Sequence, residues 1–251
     1  MALAILCAGT AGAAGPSYSA AGIVNASNYT GGPFAPNSVI SIFGAGLARS
    51  TYALAPSDIS GGMLPFELNY ARVYVQDQPV PLLFVSDGQI NFLMPTNIRT
   101  ATPVPVRVVS EGITGPEIVI NLADAVPALF PMPGGYAIAT SADGKLLTAD
   151  TPAHAGDTIV VYLTGLGVTS PNPVTGQILN VPAPALAAAS LKIALAGKAV
   201  DPSLVKYAGL TPGSAGLYQI NLVVPEGTGT DPEIVVSGSV SGQTGLKLPV
   251  R

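Results

Sequence analysis

His154, the single histidine of the chain, stands between Asp150 and Asp157 in the stretch Thr-Pro-Ala-His-Ala-Gly-Asp. That grouping invites comparison with a Ser-His-Asp relay, in which a carboxylate orients an imidazole that activates a serine. The serine would have to sit on a sharp exposed turn of the G-x-S-x-G kind. Gly213-Ser214-Ala215-Gly216 and Gly238-Ser239-Val240-Ser241-Gly242 come near it with the wrong spacing, so His154 reads as a loop residue just before a strand. Carboxylates number 14 and fall mostly in turn positions such as Asp77, Asp87, Asp124 and Asp143. Glu111 and Glu117 stand across one turn from each other, but a glycosidase needs two carboxyl groups facing each other across a cleft. A calcium loop of alternating aspartates is absent from the sequence, and one histidine with one cysteine, Cys7, makes no zinc ligand set. Gly44-Ala45-Gly46 and Gly165-Leu166-Gly167 each follow an apolar run, yet both lack the third glycine and the helix that a dinucleotide fingerprint requires. The reading is therefore of a chain without catalytic residues, cofactor or metal site.

A polar motif occurs twice. Gln89-Ile90-Asn91 and Gln219-Ile220-Asn221 are each followed by apolar residues and a proline, Pro95 and Pro225. Side chains alternate across a strand, so Ile90, Phe92 and Met94 share one face, as do Tyr218, Ile220, Leu222 and Val224. Those faces are assigned to the core. Gln89, Asn91, Gln219 and Asn221 then point the other way, where they could bond sugar hydroxyls or a partner's backbone, or tie neighbouring strands together. Recurrence in both places favours the structural role. Tyr52, Tyr70, Tyr74, Tyr207 and Tyr218 could supply stacking surfaces for carbohydrate, although nothing in the sequence gathers them.

The elements that carry these residues are themselves duplicated. The two Gln-Ile-Asn triplets lie 130 residues apart (219 − 89). The apolar runs Val39–Leu47 and Thr158–Leu166, which both end in glycines, are offset by 119 (165 − 46). In the first copy Ile23–Ala26, Val39–Phe43, Ala71–Gln76, Val80–Val85, Gln89–Met94, Val104–Val109 and Ile118–Leu122 read as strands. Asp77-Gln78 and Asp87-Gly88 are the tight turns, the second a strong hairpin signal. Seven short strands between turns are what an immunoglobulin-like sandwich needs. The fold class expected is all-β, two tandem immunoglobulin-like β-sandwich domains from an internal duplication. Domain 1 is set at 20–124 and domain 2 at 154–251. Between them 125–153 is an apolar junction and hairpin, with Tyr136–Thr140 and Lys145–Thr148 closed by Asp143-Gly144, and Leu129 and Phe130 placed to plug the junction. Pro182–Ala189 is alanine-rich, and its prolines make a loop as good a reading as a helical turn.

Composition agrees with this picture. Only 10% of the residues are charged, against about 25% in typical soluble domains, while 48% are hydrophobic. A chain this apolar does not belong with disordered ones, and 24 prolines leave little room for long helices. The net charge is −4 without a basic cluster, which argues against nucleic acid as a partner, since phosphate binding rests on Lys and Arg. Ala2–Ala8 is a short apolar segment followed by small residues with the A-x-A-like Ala11-Gly12-Ala13. Residues 1–14 are read as the remnant of a secretory signal whose basic start is missing, consistent with a start set too late. It is too short to span a bilayer, as is every other apolar stretch. Leu6 before Cys7 does not match the small residue that a lipoprotein anchor wants. Cleavage at this place would leave a mature chain without cysteine.

Ile23-Val24-Asn25-Ala26, Ser86-Asp87-Gly88-Gln89-Ile90-Asn91-Phe92, Leu163-Thr164-Gly165-Leu166-Gly167 and Gly216-Leu217-Tyr218-Gln219-Ile220-Asn221 occur in this order. In these motifs the chain resembles the acidobacterial (Solibacter) uncharacterised C-terminal domain family of secreted proteins over nearly all of its length past the leader. Each half more loosely resembles a TIG-type immunoglobulin-like domain. The resemblance implies export and frequent attachment behind propellers or other extracellular modules, and carries no activity. A free-standing pair and a piece of a longer chain both stay open. The expectation is a secreted or cell-surface, non-catalytic structural, adhesion or display module that meets an extracellular protein or polysaccharide surface. Its alternative is a carbohydrate- or polymer-binding module of a secreted degradative system.

Overall fold

The computed structural model describes residues 15–251, so residues 1–14, where a leader is expected, and with them Cys7, lie outside the described residues. Among these residues there is no α-helix, only strands and three short 3-10 turns, and hence no helix long and apolar enough to cross a membrane. The first half holds β1 (Ser17–Asn25), β2 (Val39–Ala45), β3 (Tyr52–Ala53), β4 (Ala71–Val75), β5 (Gln78–Val80), β6 (Leu82–Val85), β7 (Gln89–Leu93), β8 (Val104–Ser110), β9 (Ile113–Thr114) and β10 (Ile118–Ile120). One sheet runs β1-β2-β7-β6-β3, the other β10-β8-β4-β5, with β9 paired to β8. With β1, β2, β4, β6, β7, β8 and β10 as strands A to G, these orders are A-B-E-D and G-F-C, the arrangement of an immunoglobulin sandwich.

The second half repeats it. Its strands are β11 (Ala128–Leu129), β12 (Pro131–Met132), β13 (Tyr136–Ala137), β14 (Ala139–Ser141), β15 (Thr158–Thr164), β16 (Ala183–Pro184), β17 (Lys192–Leu195), β18 (Lys198–Ala199), β19 (Val205–Leu210), β20 (Tyr218–Val223) and β21 (Ile234–Ser237). The order β11-β15-β20-β19-β16 mirrors β1-β2-β7-β6-β3, and β18-β17-β21 mirrors β5-β4-β8. The last strand is replaced by Leu246–Val250, which lies along β21 through Ile234 N–H to the Leu246 carbonyl and Leu248 N–H to the Pro232 carbonyl, both 2.9 Å. The molecule is thus all-β, a tandem of immunoglobulin-like sandwiches.

Alternation builds both cores. In β8 (Val-Pro-Val-Arg-Val-Val-Ser) every second residue is buried. Ile40, Ile42, Val73, Ile90, Phe92 and Val106 close the first core, while Ile159, Val161, Leu163, Tyr218, Ile220 and Leu222 close the second. The two clusters share no residue. Tyr18 holds the first sandwich shut from its edge: β1 pairs with β2, yet the Tyr18 hydroxyl takes the Val108 N–H of the opposite sheet at 2.8 Å and donates to the Pro116 carbonyl at 2.5 Å.

Several local expectations are corrected. The first strand starts at Ser17 rather than Ile23, because Ser17 and Tyr18 regain pairing with Ala45 and Gly44 after an irregularity. The run expected as one strand over Val80–Val85 is cut at Pro81, which lacks a donor. β5 stays with β4 while β6 crosses to the other sheet. Within the segment 125–153 expected between the two domains, β11 and β14 both pair with β15 and so join the second sheet. Leu129 lies in the second core rather than plugging the space between the sandwiches, and Phe130 is half-buried. Pro182–Ala189 contributes β16 and the start of a 3-10 turn (Ala188–Ser190).

Candidate functional site

The Gln-Ile-Asn strands occupy matching places in the two sheets. β7 lies between β2 and β6, and β20 between β15 and β19. Ile90 and Ile220 are buried, while Gln89, Asn91, Gln219 and Asn221 are half-buried on the outer faces. In each strand the amides form one short relay: Gln89 Nε2 donates to Asn91 Oδ1 and Gln219 Nε2 to Asn221 Oδ1, both at 2.8 Å. Among the described residues only the first relay has a third member, the Ser41 hydroxyl, which donates to Asn91 Oδ1 at 2.8 Å.

Around the first relay lies an aromatic surface that sequence reasoning missed. Phe43 stands directly opposite Gln89, and Phe84 opposite Asn91, so these side chains share the outer face. The ring of Tyr29 meets that of Phe43 with centroids 6.0 Å apart and planes tilted by 52°. Tyr29 is 62% exposed and Phe43 37%. One signal for this was available: in Val-Ile-Ser-Ile-Phe the inward positions are Ile40 and Ile42, which turns Phe43 outward. The tyrosines considered from sequence are scattered instead. Tyr218 is buried in the second core, and Tyr207 donates to the Leu210 carbonyl at 2.6 Å. Tyr52 donates to Asp58, whose carboxylate raises its pKa. Tyr74 lies under the Arg107 guanidinium at 4.8 Å, and Tyr70 is exposed.

The ionisable groups do not converge. His154 Nδ1 lies 3.7 Å from the Asp157 carboxylate, with both side chains more than half exposed, and the same carboxylate accepts the His154 backbone N–H at 2.8 Å. This is a turn closing on itself just ahead of β15. Asp150 is exposed beyond it. Glu111 faces Arg49 at 3.5 Å, and Glu117 is exposed. Among the described residues no three of His, Cys, Asp and Glu gather where a metal ion would sit. Gly167 is a packing glycine, since a Cβ there would meet the Asp124 carbonyl oxygen. A groove of about 350 Å³ in the second half is walled by Pro184, Leu191, Ile193, Val200, Val205 and Tyr207, a mostly apolar lining without facing carboxylates.

A second polar feature joins the two halves. Thr164 and Tyr218, both fully buried, act alike: each hydroxyl accepts from the first half and donates to a backbone carbonyl of the second. Thr164 Oγ1 accepts the Val39 N–H at 3.1 Å and donates to the Gly216 carbonyl at 2.8 Å. The Tyr218 hydroxyl takes Asn37 Nδ2 at 3.3 Å and donates to the Gly167 carbonyl at 2.5 Å. Burial pushes the Tyr218 phenol far above its ordinary pKa, so it remains a donor. Ser27 Oγ reaches the Leu129 carbonyl at 2.5 Å, and Thr175 Oγ1 accepts the Thr96 N–H at 3.1 Å. Strand-like bonds add to these, Leu64 N–H to the Gly176 carbonyl at 2.9 Å and Ile178 N–H to the Gly62 carbonyl at 2.8 Å. Leu93 is buried but belongs to neither core, and its Cδ2 would be 2.3 Å from a Cβ placed on Gly216.

No protein-family model and no curated protein sequence matches the chain. Among solved structures it is similar to the surface glycan-binding protein PbSGBP-B from Prevotella bryantii, at 12% identity and a TM-score of 0.28, over 92% of this chain and 41% of that one. The chain thus spans about two fifths of that protein's length. It is also similar to the tandem Ig repeats of Dlar, at 12% identity and a TM-score of 0.21, covering 86% and 90% of the two chains. For Titin-A168169 the identity is 11% and the TM-score 0.24, over 94% and 98%.

Proposed function

We propose that the chain is a non-catalytic extracellular module whose two sandwiches are held in one fixed tandem and serve adhesion, display or scaffolding at a cell surface. The observation that carries this reading is the junction, where the buried hydroxyls of Thr164 and Tyr218 are each bonded on both sides. Domains that share a small polar contact move relative to one another by default. A polar group buried in such a contact costs about 1–3 kcal/mol when its partner is lost. Opening this junction would strip partners from Asn37, Val39, Thr164 and Tyr218 together and wet Leu93, which opposes any swing. The short apolar segment Ala2–Ala8 with the small residues after it and the acidobacterial family resemblance support export. The exposed single histidine and dispersed carboxylates support a role without turnover.

Small-angle scattering on residues 15–251 tests the reading. A single inter-domain distance is expected, broadened in the double variant Thr164→Val, Tyr218→Phe. A broad distribution already present in the parent would overturn it.

A further inference from the structure

We propose that the outer face of the first sheet is a binding platform for internal stretches of a neutral polysaccharide. A pyranose ring offers a face of C–H groups edged by hydroxyls. Its recognition therefore calls for an aromatic surface beside groups that both donate and accept hydrogen bonds. Tyr29 and Phe43 supply the surface, with rings 6.0 Å apart and open to solvent. Gln89, directly across from Phe43, and Asn91 supply the polar groups.

The relay leaves a complementary pair of atoms unused. Gln89 Nε2 and the Ser41 hydroxyl both point to Asn91 Oδ1, and among the described residues neither Gln89 Oε1 nor Asn91 Nδ2 makes a further hydrogen bond. Turning both amides over exchanges the roles and still leaves one NH2 and one C=O free. A donor and an acceptor side by side match vicinal hydroxyls, each of which can answer either.

Tyr29 is also held in place at a cost. Its φ is 56°, a left-handed conformation unfavourable for a bulky residue, and it is pinned by its N–H to the Asn25 carbonyl at 2.9 Å. Folding gains little from an exposed ring kept there, and such strain tends to gather at binding sites.

Charge selects the class of ligand. The five strands β1, β2, β7, β6 and β3 contain no Lys, Arg, His, Asp or Glu. Of the carboxylates next to these strands, Asp87 accepts the Gly46 N–H and Asp58 the Tyr52 hydroxyl, each at 3.1 Å. With no cation in these strands, the middle of the face has nothing to neutralise uronates or the phosphates of nucleic acid, whose bases could otherwise stack on the rings. The platform is an open sheet face rather than a pocket, which suits the middle of a chain rather than its end.

The second half is a built-in control. Its relay, Gln219 to Asn221, has the same 2.8 Å bond, but opposite Gln219 stands the half-buried Tyr162. The exposed large apolar residues of that half are Leu146, Val174, Val181 and Leu186, none of them aromatic. The relay and an aromatic opposite each of its amides, here Tyr162 and Tyr207, are common to both halves; what the first half adds is the exposed contact between Tyr29 and Phe43.

The test is affinity electrophoresis of residues 15–251 through gels holding mixed-linkage β-glucan, xyloglucan, glucomannan or arabinoxylan, with alginate as the anionic comparison. Retardation by at least one neutral polymer is expected, with affinity lowered about tenfold by Tyr29→Ala, Phe43→Ala or Gln89→Ala and unchanged by Gln219→Ala. Phe43→Leu keeps apolar bulk without the ring and takes the place of Phe43→Ala should that variant not fold. No retardation by any of the four neutral polymers overturns the proposal. So does equal retardation of the parent and the Tyr29→Ala, Phe43→Leu double variant, or stronger retardation by alginate. Because the readout is binding, it can fail while the fixed tandem stands, and the reverse.

Discussion

Asn37 of the first sandwich donates a hydrogen bond from its side-chain amide to the phenolic oxygen of Tyr218 in the second at 3.3 Å, and the Tyr218 hydroxyl donates in turn to the Gly167 carbonyl at 2.5 Å. One hydroxyl thus links the loop before β2 to the loop after β15. Tyr218→Phe keeps the ring in the core and removes only that link, leaving buried polar atoms behind. A loss of about 1–3 kcal/mol in urea-induced unfolding is expected, and a loss under ~0.5 kcal/mol would place the hydroxyl outside the folding balance.

The same phenol sets an alkaline limit. In the unfolded chain it ionises near 10.0, whereas burial holds the folded-state pKa well above that. Above pH 10 the unfolded state releases a proton that the folded state keeps, so stability contributed by Tyr218 is complete below pH 10 and declines as pH rises towards the folded pKa. Stability measured by denaturant between pH 9 and about 11.5 should fall more steeply in the parent than in Tyr218→Phe, by up to ~1.4 kcal/mol per pH unit. Parallel curves would contradict the burial of this group.

Gly216 separates backbone strain from crowding. Its φ is +73°, and an added Cβ would lie 2.3 Å from Leu93 Cδ2 and 2.9 Å from Val39 Cγ2. Gly213 shares the strain, with φ +79°, and has no atom nearer than 3.8 Å. Gly216→Ala should therefore cost about 1–3 kcal/mol more than Gly213→Ala, and should broaden the inter-domain distances seen by scattering. Equal costs would mean that Leu93 and Val39 are free to move aside.

Ile90 and Ile220 are both almost fully buried within their strands. Replacing either by Ala removes apolar contact and leaves a cavity, so a loss of about 2–5 kcal/mol is expected from each. Measured separately by hydrogen exchange, each substitution should unprotect its own sandwich first, because the two cores share no residue.

His154→Ala should leave stability within about 0.5 kcal/mol of the parent, as exposed positions do. Its backbone N–H, not its imidazole, makes the 2.8 Å bond to Asp157. Asp157→Ala removes that bond and should cost more in thermal unfolding; a reversed order would give the imidazole a role that its exposure does not support.

The outer and inner faces of β7 and β20 were legible in the residues themselves. Strand side chains alternate with a period of two, so Ile90 and Ile220 had to face inward once Gln89, Asn91, Gln219 and Asn221 faced out. The turn at Asp87-Gly88 and the doubling of the chain were equally plain, because turn chemistry and internal repetition are local properties of a sequence. What covers an outer face, and what touches across a junction, are not. Phe43 could be read as outward-facing, but its meeting with Tyr29 depends on a turn held by hydrogen bonds between Asn25, Tyr29 and Thr30. Leu129 was apolar enough to belong to either sandwich, and only the pairing of β11 with β15 assigned it to the second core. Thr164 and Tyr218 look like any strand residues until residues 125 and 181 positions away in the chain arrive beside them. Sequence period decides which way a side chain points, whereas its partners are decided by strand register and by the docking of one sandwich on the other, which are properties of the whole folded chain.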